Sequence, residues 1–482
     1  MNSKTKVYVS TAEDAEYVSD EAFWSPSEHY PEYPYEEVSF QENPAYTLIR
    51  NGFVALGMDA AHFGGADWNP LGQIIHPGMT VLLKPNWVLH KNDDISHDMS
   101  CVVTHPSVIR AALDYVLIAL KGTGRVIAGD APIQLCDFDK LQDEMGYRKL
   151  WEYYREKGID IEVMDLRGMV AVKSSSGMKT LRDDMTGVVV DIGADSMFYG
   201  QDEKKISKMR ITNYATHLLQ AHHVGQKHEY MLHPIVLEAD VIINLPKPKS
   251  HRKAGLTACA KNFVGANMRK EFLPHHTQGA KANGGDEYRN TSILHSTESH
   301  CLDRVNNSTG KAPYYLHYAL YALIHTVRKA FCLTDKDYSE GSWYGNDTIW
   351  RTIVDLNRMV LYADRKGFLQ KQQQRTVFNI CDMIVAGEKE GPMCPSPKRL
   401  GMIVMGNSIW ATDRVICRIA GFDSRAVKYL DYLPEKDRDD AEIWVCNIGK
   451  EPIAFDKYYY NPGWYFQPTS GWKGHIEVDV KH

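Results

Sequence analysis

Between residues 79 and 164 the chain alternates short apolar runs with segments of helical period, and this rhythm constrains its fold more than any other feature. Residues 79–84 form an apolar run entered from His76-Pro77-Gly78, too short for a helix, and read as a buried strand. Thr104-His105-Pro106 then opens a helix. Thr104 or His105 lies near its cap, Pro106 in its first turn, and Gly122 and Gly124 at its end. Residues 125–130 read as a second strand, 139–157 as a second helix and 159–164 as a third strand. Parallel strands need crossovers of a dozen or more residues, and a helix is the usual one, so this order predicts a parallel sheet.

The same signals recur downstream. Residues 240–245 read as a fourth strand stopped by Pro246 and Pro248, residues 377–385 and 402–405 as further strands, and 442–446 as a last one. Helices are predicted over 314–331, 347–365 and 412–420. The helix at 314–331 is apolar nearly all round and is expected to be buried. The fold class expected is α/β: a mixed, mostly parallel, doubly wound sheet with helices on both faces and a long inserted loop region. Its parts are an irregular aromatic arm over 1–45, an N-terminal α/β half over 46–268, an insertion with a lid-like loop and a buried helix over 269–345, and a C-terminal α/β half over 346–482. The arm's aromatics are expected to pack on the body.

Composition narrows the partners. With 55 Lys plus Arg against 61 Asp plus Glu the net charge is −6, which offers no bulk attraction for nucleic acid, so any anion site must be local. No run approaches the ~18 apolar residues of a membrane span and no signal-like segment opens the chain, which leads us to expect a cytoplasmic protein. Nine scattered cysteines without a Cys-x-x-Cys pair predict neither a disulfide framework nor an iron-sulfur cluster.

The richest segment for chemistry follows the fourth strand. Lys247, Lys249, His251, Arg252, Lys253 and Lys261 fall within fifteen residues, beside Asn262. In open α/β sheets ligands lie beyond the carboxyl ends of strands, and so many like charges repel each other unless an anion or carboxylates face them. Lys84 and Asn86 end the first strand and Asp130 ends the second, so all three are expected at the same edge. Asp130 could hold a metal, orient a lysine or cap the next element. His275 and His276 open a polar, Gly-rich loop that also carries Asp286 and Glu287; imidazoles with carboxylates suit a divalent metal, and the histidines equally suit acid/base work. Arg351, Asp355 and Arg358 share a helix face, read either as a surface ion ladder or as Asp355 facing a site.

Taken in order, Leu83-Lys84-Pro85-Asn86, Thr104-His105-Pro106, Gly129-Asp130-Ala131-Pro132, residues 244–251, Lys261-Asn262-Phe263-Val264-Gly265, residues 384–388 with Gly391-Pro392, and Gly421-Phe422-Asp423 resemble the domain of unknown function 362 family over residues 80 to 430. Residues 274–279 and 284–288 resemble a bacterial subgroup associated with envelope polysaccharide genes. Two features depart from relatives: the cysteine spacing of their ferredoxin-like domain is absent, and residues 407–413 keep Asp413 but not the usual Asn-Pro turn before it.

The expected function is that of a cytoplasmic bacterial enzyme acting on an anionic small molecule, phosphorylated or carboxylated. Lys247, Lys249, His251, His275 and His276 are the candidate catalytic residues, and Lys84, Asn86, Lys253, Lys261, Asn262, Asp130 and Asp355 the candidate substrate contacts. One lysine, its pKa lowered by cationic neighbours, could act as base or nucleophile. The competing class is a non-catalytic metal or redox protein with the ion on His275, His276, Asp286 and Glu287, and a third is a ligand-sensing module. A divalent metal and a homo-oligomer are compatible with either class; nucleic acid is not an expected partner.

Overall fold

The apolar runs do assemble into one sheet. In a computed structural model, which describes residues 4–478 except 14, 175–176, 213, 309, 332–337 and 435–441, eleven strands of the described residues share it. They are β1 (Lys4–Thr11), β2 (Thr80–Pro85), β3 (Arg125–Asp130), β4 (Glu162–Asp165), β5 (Val241–Leu245), β6 (Lys249–His251), β7 (Gly255–Thr257), β8 (Thr376–Glu390), β9 (Cys394–Gly406), β10 (Glu442–Cys446) and β11 (Ile453–Ala454). The order is β11-β10-β1-β9-β8-β5-β2-β3-β4, with β6 against β8 and β7 against β6. Strands β8, β5, β2, β3 and β4 run parallel, so β2, β3 and β5 end at one edge, with Asn244 opposite Lys84. The sheet is mixed and mostly parallel, as the alternation predicts.

Both faces are covered, which is why the central strands read as continuous apolar runs. Side chains alternate along a strand, so Val81, Leu83, Val126, Ala128 and Ile243 enter one core. There they meet α1 (Pro44–Ala55) and α2 (Pro106–Leu120). Leu82, Ile127, Ile242 and Val377 enter the other core, with Ile353, Leu356 and Ile416. Each Val, Leu or Ile among them contributes about 1.5–3 kcal/mol of burial. His105 caps α2, its Nδ1 accepting from Ser107 N at 3.2 Å, and Thr104 is left to tie two strand ends together. The helix expected over 139–157 is two, α3 (Phe138–Glu144) and α4 (Tyr147–Glu156), broken where Gly146 takes φ 75°.

Two expectations are corrected. The arm over 1–45 is not irregular throughout: Lys4–Thr11 is an interior strand, antiparallel to β9 and parallel to β10. Only Val7, Tyr8 and Val9 are fully buried, and the polar residues on either side hide so short an apolar run. Trp24, Tyr30 and Tyr33 do pack on the body. The second correction concerns the apolar helix Lys311–Phe331, which is not buried. Leu316 is 70% exposed and Leu323 59%, because only one side meets the helix Ile293–Asn306, where Arg328 and His325 pair with Glu298. Apolar content all round a helix does not say how many neighbours it has. Among the described residues no helix is long and apolar enough to cross a membrane.

Because β1 joins the β9 side of the sheet to β10, its removal opens two interior ladders. A chain lacking residues 1–11 is expected to lose its cooperative thermal transition by circular dichroism. A transition as sharp as the parent's, at the same temperature, would show the strand to be dispensable.

Candidate functional site

Strands β2 and β3 deliver Lys84 and Asp130 to the carboxyl edge, and the two meet there. Lys84 Nζ donates to Asp130 Oδ1 at 2.6 Å and to the carbonyls of Pro85 and Asn262 at 3.1 and 3.2 Å. Asp130 Oδ2 accepts from Trp87 N at 2.6 Å. Gly265 lies against the pair: a Cβ on it would stand 1.9 Å from Asp130 Oδ1, so the backbone can close over the ion pair only without a side chain. Lys247 is held in the same way. Its Nζ donates to Asp382 Oδ2 at 2.6 Å, to Tyr17 Oη at 2.7 Å and to Val385 O at 3.2 Å. Tyr17 Oη and His105 N also donate to the Asp382 carboxylate. Neither lysine has accessible surface.

A chain of asparagine side chains runs between these ends. Lys249 Nζ donates to Asn86 Oδ1 at 3.0 Å, Asn86 Nδ2 to Asn262 Oδ1 at 2.8 Å, Asn262 Nδ2 to Asn244 Oδ1 at 2.8 Å, and Asn244 Nδ2 to Asn379 Oδ1 at 2.9 Å. Asn379 Nδ2 closes the chain on Gly406 O at 3.0 Å. Every link runs in one direction and every member is buried, so the strand ends are locked in register by satisfied polar groups. Thr104 adds a cross-tie, accepting from Asn86 N at 2.9 Å and donating to Leu245 O at 2.6 Å.

Four other lysines have no such partners. Lys249, Lys253, Lys261 and Lys270 have no carboxylate within 4 Å among the described residues. Lys249 donates to Val102 O as well as to Asn86, Lys253 reaches Thr212 Oγ1 at 3.4 Å, and Lys270 reaches Ala131 O at 2.8 Å. Burial, reinforced by the charges of neighbouring cations, pushes Lys249 and Lys270 down to about 7, and Lys253 and Lys261 to about 8. Lys249 and Lys253 are buried outright, whereas Lys261 and Lys270 keep part of their surface open.

Three imidazoles adjoin this cluster. His251 Nδ1 accepts from Lys253 N and Ala254 N, both at 3.0 Å, which assigns the ring proton to Nε2. His275 Nδ1 faces Leu273 O at 2.8 Å, which assigns the proton to Nδ1 and leaves a lone pair on Nε2. Burial first, and then Lys261 for His251 and Lys253 for His275 and His276, hold all three rings well below the usual histidine range and therefore neutral. The His276 Nδ1 atom is buried without a hydrogen-bond partner. The site therefore presents cations, one N–H donor and one basic nitrogen.

The structure thus brings together Lys249, His251, Lys253, Lys261, His275 and His276, with Asn86 and Asn262 behind them. Lys84, Lys247 and Asp130 sit at the same edge engaged in ion pairs, and of the three readings of Asp130 the one in which it orients a lysine is formed. Asp355 is buried on the helix Ile349–Tyr362 and accepts from Ser196 Oγ, Met197 N and Tyr230 Oη at 2.6, 2.7 and 2.9 Å. The ion ladder is not formed, since Arg351 pairs with Asp347 and Arg358 with Asp195. The metal set His275, His276, Asp286 and Glu287 is not assembled. Asp286 spends its oxygens on Thr277 N, Thr348 Oγ1 and Asp347 N, Glu287 takes Gly279 N at 3.0 Å, and no group of three potential ligands stands together among the described residues. Sequence reasoning missed Lys270, Tyr17 and Asp382. A lone carboxylate inside the apolar run 377–385 was the available sign of Asp382, because such a charge needs a buried partner.

No curated protein matches the chain. Among solved structures it shows a faint likeness to the crystal structure of a protein from Thermotoga maritima, at 9% identity and a TM-score of 0.27. The match covers 74% of this chain and 55% of that one, so the chain spans about half the length of that protein. The sequence profile described as a domain of unknown function, DUF362, matches residues 81–186 and 209–418. These segments contain both ion pairs' lysines, the unpaired lysines, the three histidines and all four linked asparagines, and with more than half its length matched, the chain belongs to the DUF362 family.

Proposed function

We propose that this protein is an enzyme whose site at the carboxyl edge of the sheet binds an anionic small molecule, phosphorylated or carboxylated. One observation carries the reading: four enclosed lysines without carboxylate partners stand beside three neutral histidines. Burying an ammonium costs free energy unless a counter-charge faces it, and Lys84 and Lys247 display the internal solution that the other four lack. A bound anion supplies that counter-charge. Lys261 and Lys270, which keep accessible surface, make the first contacts, and Lys253 and Lys249 add charge from behind.

Fixed cations in an enclosed site stabilise negative charge that builds on a bound oxygen. The Nε2–H of His251 donates to the substrate, and the free Nε2 of His275 accepts a proton from it. This pair suits acyl transfer, phosphoryl transfer or proton abstraction. The resemblance of residues 274–279 and 284–288 to the polysaccharide-associated subgroup supports placing the reaction in cytoplasmic envelope polysaccharide metabolism.

The two classes of lysine are expected to respond oppositely to removal. Lys247→Met strands Asp382 and is expected to cost about 3–5 kcal/mol in denaturant unfolding. Lys261→Met strands nothing and is expected to leave the empty protein as stable as the parent or more so, while abolishing stabilisation by phosphate. If Lys261→Met unfolds the protein as severely as Lys247→Met, the lysine is structural and the anion reading fails.

Proton linkage gives an independent check. The four lysines are depressed to about 7–8 when folded and regain the ordinary value near 10.5 when unfolded. Between these values the unfolded chain binds more protons, so the ligand-free protein gains stability as pH rises from about 7 to about 10, and the full penalty is present below about 7. Phosphate raises the folded pKa values, so it flattens this slope and is taken up together with protons. At a hundredfold excess over Kd it adds about 2.7 kcal/mol. Titration calorimetry of phosphate at pH 8, in buffers of different ionisation enthalpy, measures the proton uptake. Binding without proton uptake, or a melting temperature indifferent to phosphate and carboxylates, would overturn the proposal.

A further inference from the structure

The helix Lys311–Phe331 is held by one face and open on the other. His317 bonds to Ser308, and His325 and Arg328 pair with Glu298, all on the side of the helix Ile293–Asn306. At about 100° per residue, the opposite side carries Ala312, Leu316, Ala319, Leu323, Thr326 and Ala330. All six are exposed, and from Tyr321 to Arg328 only Leu323 and Thr326 are. They recur at alternating intervals of four and three residues, the a/d repeat of a coiled coil. So narrow a stripe, with alanine or threonine at four of its six places, is the seam for one further helix; a helix that lies on lipid shows a broad face of bulky residues.

The seam is complementary to itself. When a second copy of the helix runs antiparallel about a two-fold axis level with Tyr321, Ala312 faces the copy's Ala330, Leu316 its Thr326 and Ala319 its Leu323. Each leucine thus fills the space left by a small side chain, and the two backbones can approach closely. On the flanks of the seam Leu320 meets its own counterpart, and Lys329 falls opposite Tyr315, an ammonium beside an aromatic ring. These three flanking residues are exposed in the single chain. The helix contains no Asp or Glu, so closing the seam strands no carboxylate, and no flanking cation is set against another.

We propose that this face docks a second copy of the chain, the two Lys311–Phe331 helices packing antiparallel along their length of about 31 Å. The contact is isologous: one patch serves both partners and closes at two copies. It uses no residue of the lysine site.

Sedimentation equilibrium of the full chain over a concentration series is expected to show a reversible monomer–dimer equilibrium. Leu323→Glu enters the seam twice per dimer and is expected to weaken it by about a hundredfold or more. Ala319→Leu sets leucine against leucine where the neighbouring layers keep the backbones close, and is expected to weaken it by roughly tenfold. Adding Leu323→Ala restores large against small, and with it the affinity. Because these positions are exposed, every variant is expected to melt like the parent when both are monomeric, as circular dichroism measures. A parent that stays monomeric, unchanged association in Leu323→Glu, stronger association in Ala319→Leu, or no rescue by the second substitution would each overturn the proposal. So would a monomer that binds vesicles of anionic lipid through this face.

Discussion

The Lys84–Asp130 ion pair is the constraint on which the carboxyl edge of the sheet depends. It bridges the ends of two adjacent parallel strands and, through Asn262 O, reaches the turn that follows Lys261. A buried pair of this kind is not a strong source of stability, because two charges must leave water to make it. What it provides here is geometry. Both oxygens of Asp130 and three acceptors around Lys84 are used, and Gly265 leaves no room for the pair to shift. Lys247 and Asp382 repeat the device one strand further along, where β8 passes the loop after β5. The asparagine chain joins the first device at Asn262 and runs across the strand ends to Gly406 O.

That frame explains how unpaired lysines can be tolerated beside it. Like charges brought together in a soft structure would separate by moving the backbone; in this one the backbone is pinned. Lys249 is itself the first donor of the asparagine chain, and Lys270 is anchored to the carbonyl of the residue after Asp130. Burial first, with the neighbouring cations adding to it, therefore lowers the lysine and histidine pKa values while the backbone keeps its place. A net charge of −6 over the whole chain does not relieve the repulsion, since surface carboxylates lie beyond screened solvent.

Much of this architecture was legible in the sequence because it rests on local signals. The runs at 79–84, 125–130 and 240–245 are strands, since a strand covered on both faces buries apolar side chains at successive positions through its middle. Pro106 and Gly122 mark the ends of α2 for reasons of backbone geometry alone. What was hidden depends on pairing. Val7, Tyr8 and Val9 make too short a run to announce a strand flanked on both sides, and Leu316 and Leu323 cannot say that no neighbour covers them. The lysine-rich segment after β5 was conspicuous, yet six basic residues in a row of turns look alike until their partners are known. Asp382 assigns Lys247 to the frame and leaves the other lysines to the site, and it lies 135 residues from Lys247.

The helix Ile409–Ile419 links the two halves of this arrangement physically. Asp413 on one face accepts from Cys259 N at 2.6 Å and Ala260 N at 3.0 Å, which satisfies the first amides of the short helix Cys259–Asn262 that carries Lys261 and Asn262. Arg414 and Arg418 lie on another flank, where they line a surface basin with Phe455 and Tyr460. A carboxylate at the start of that short helix holds the orientation of Lys261 and of the asparagine that joins Asn86 to Asn244. Whatever fixes the position of the long helix therefore fixes the spacing of the cluster, because Asp413 moves with Arg414 as one rigid element. The second segment matched by the family profile, residues 209–418, contains both the turn that holds the lysines and Asp413.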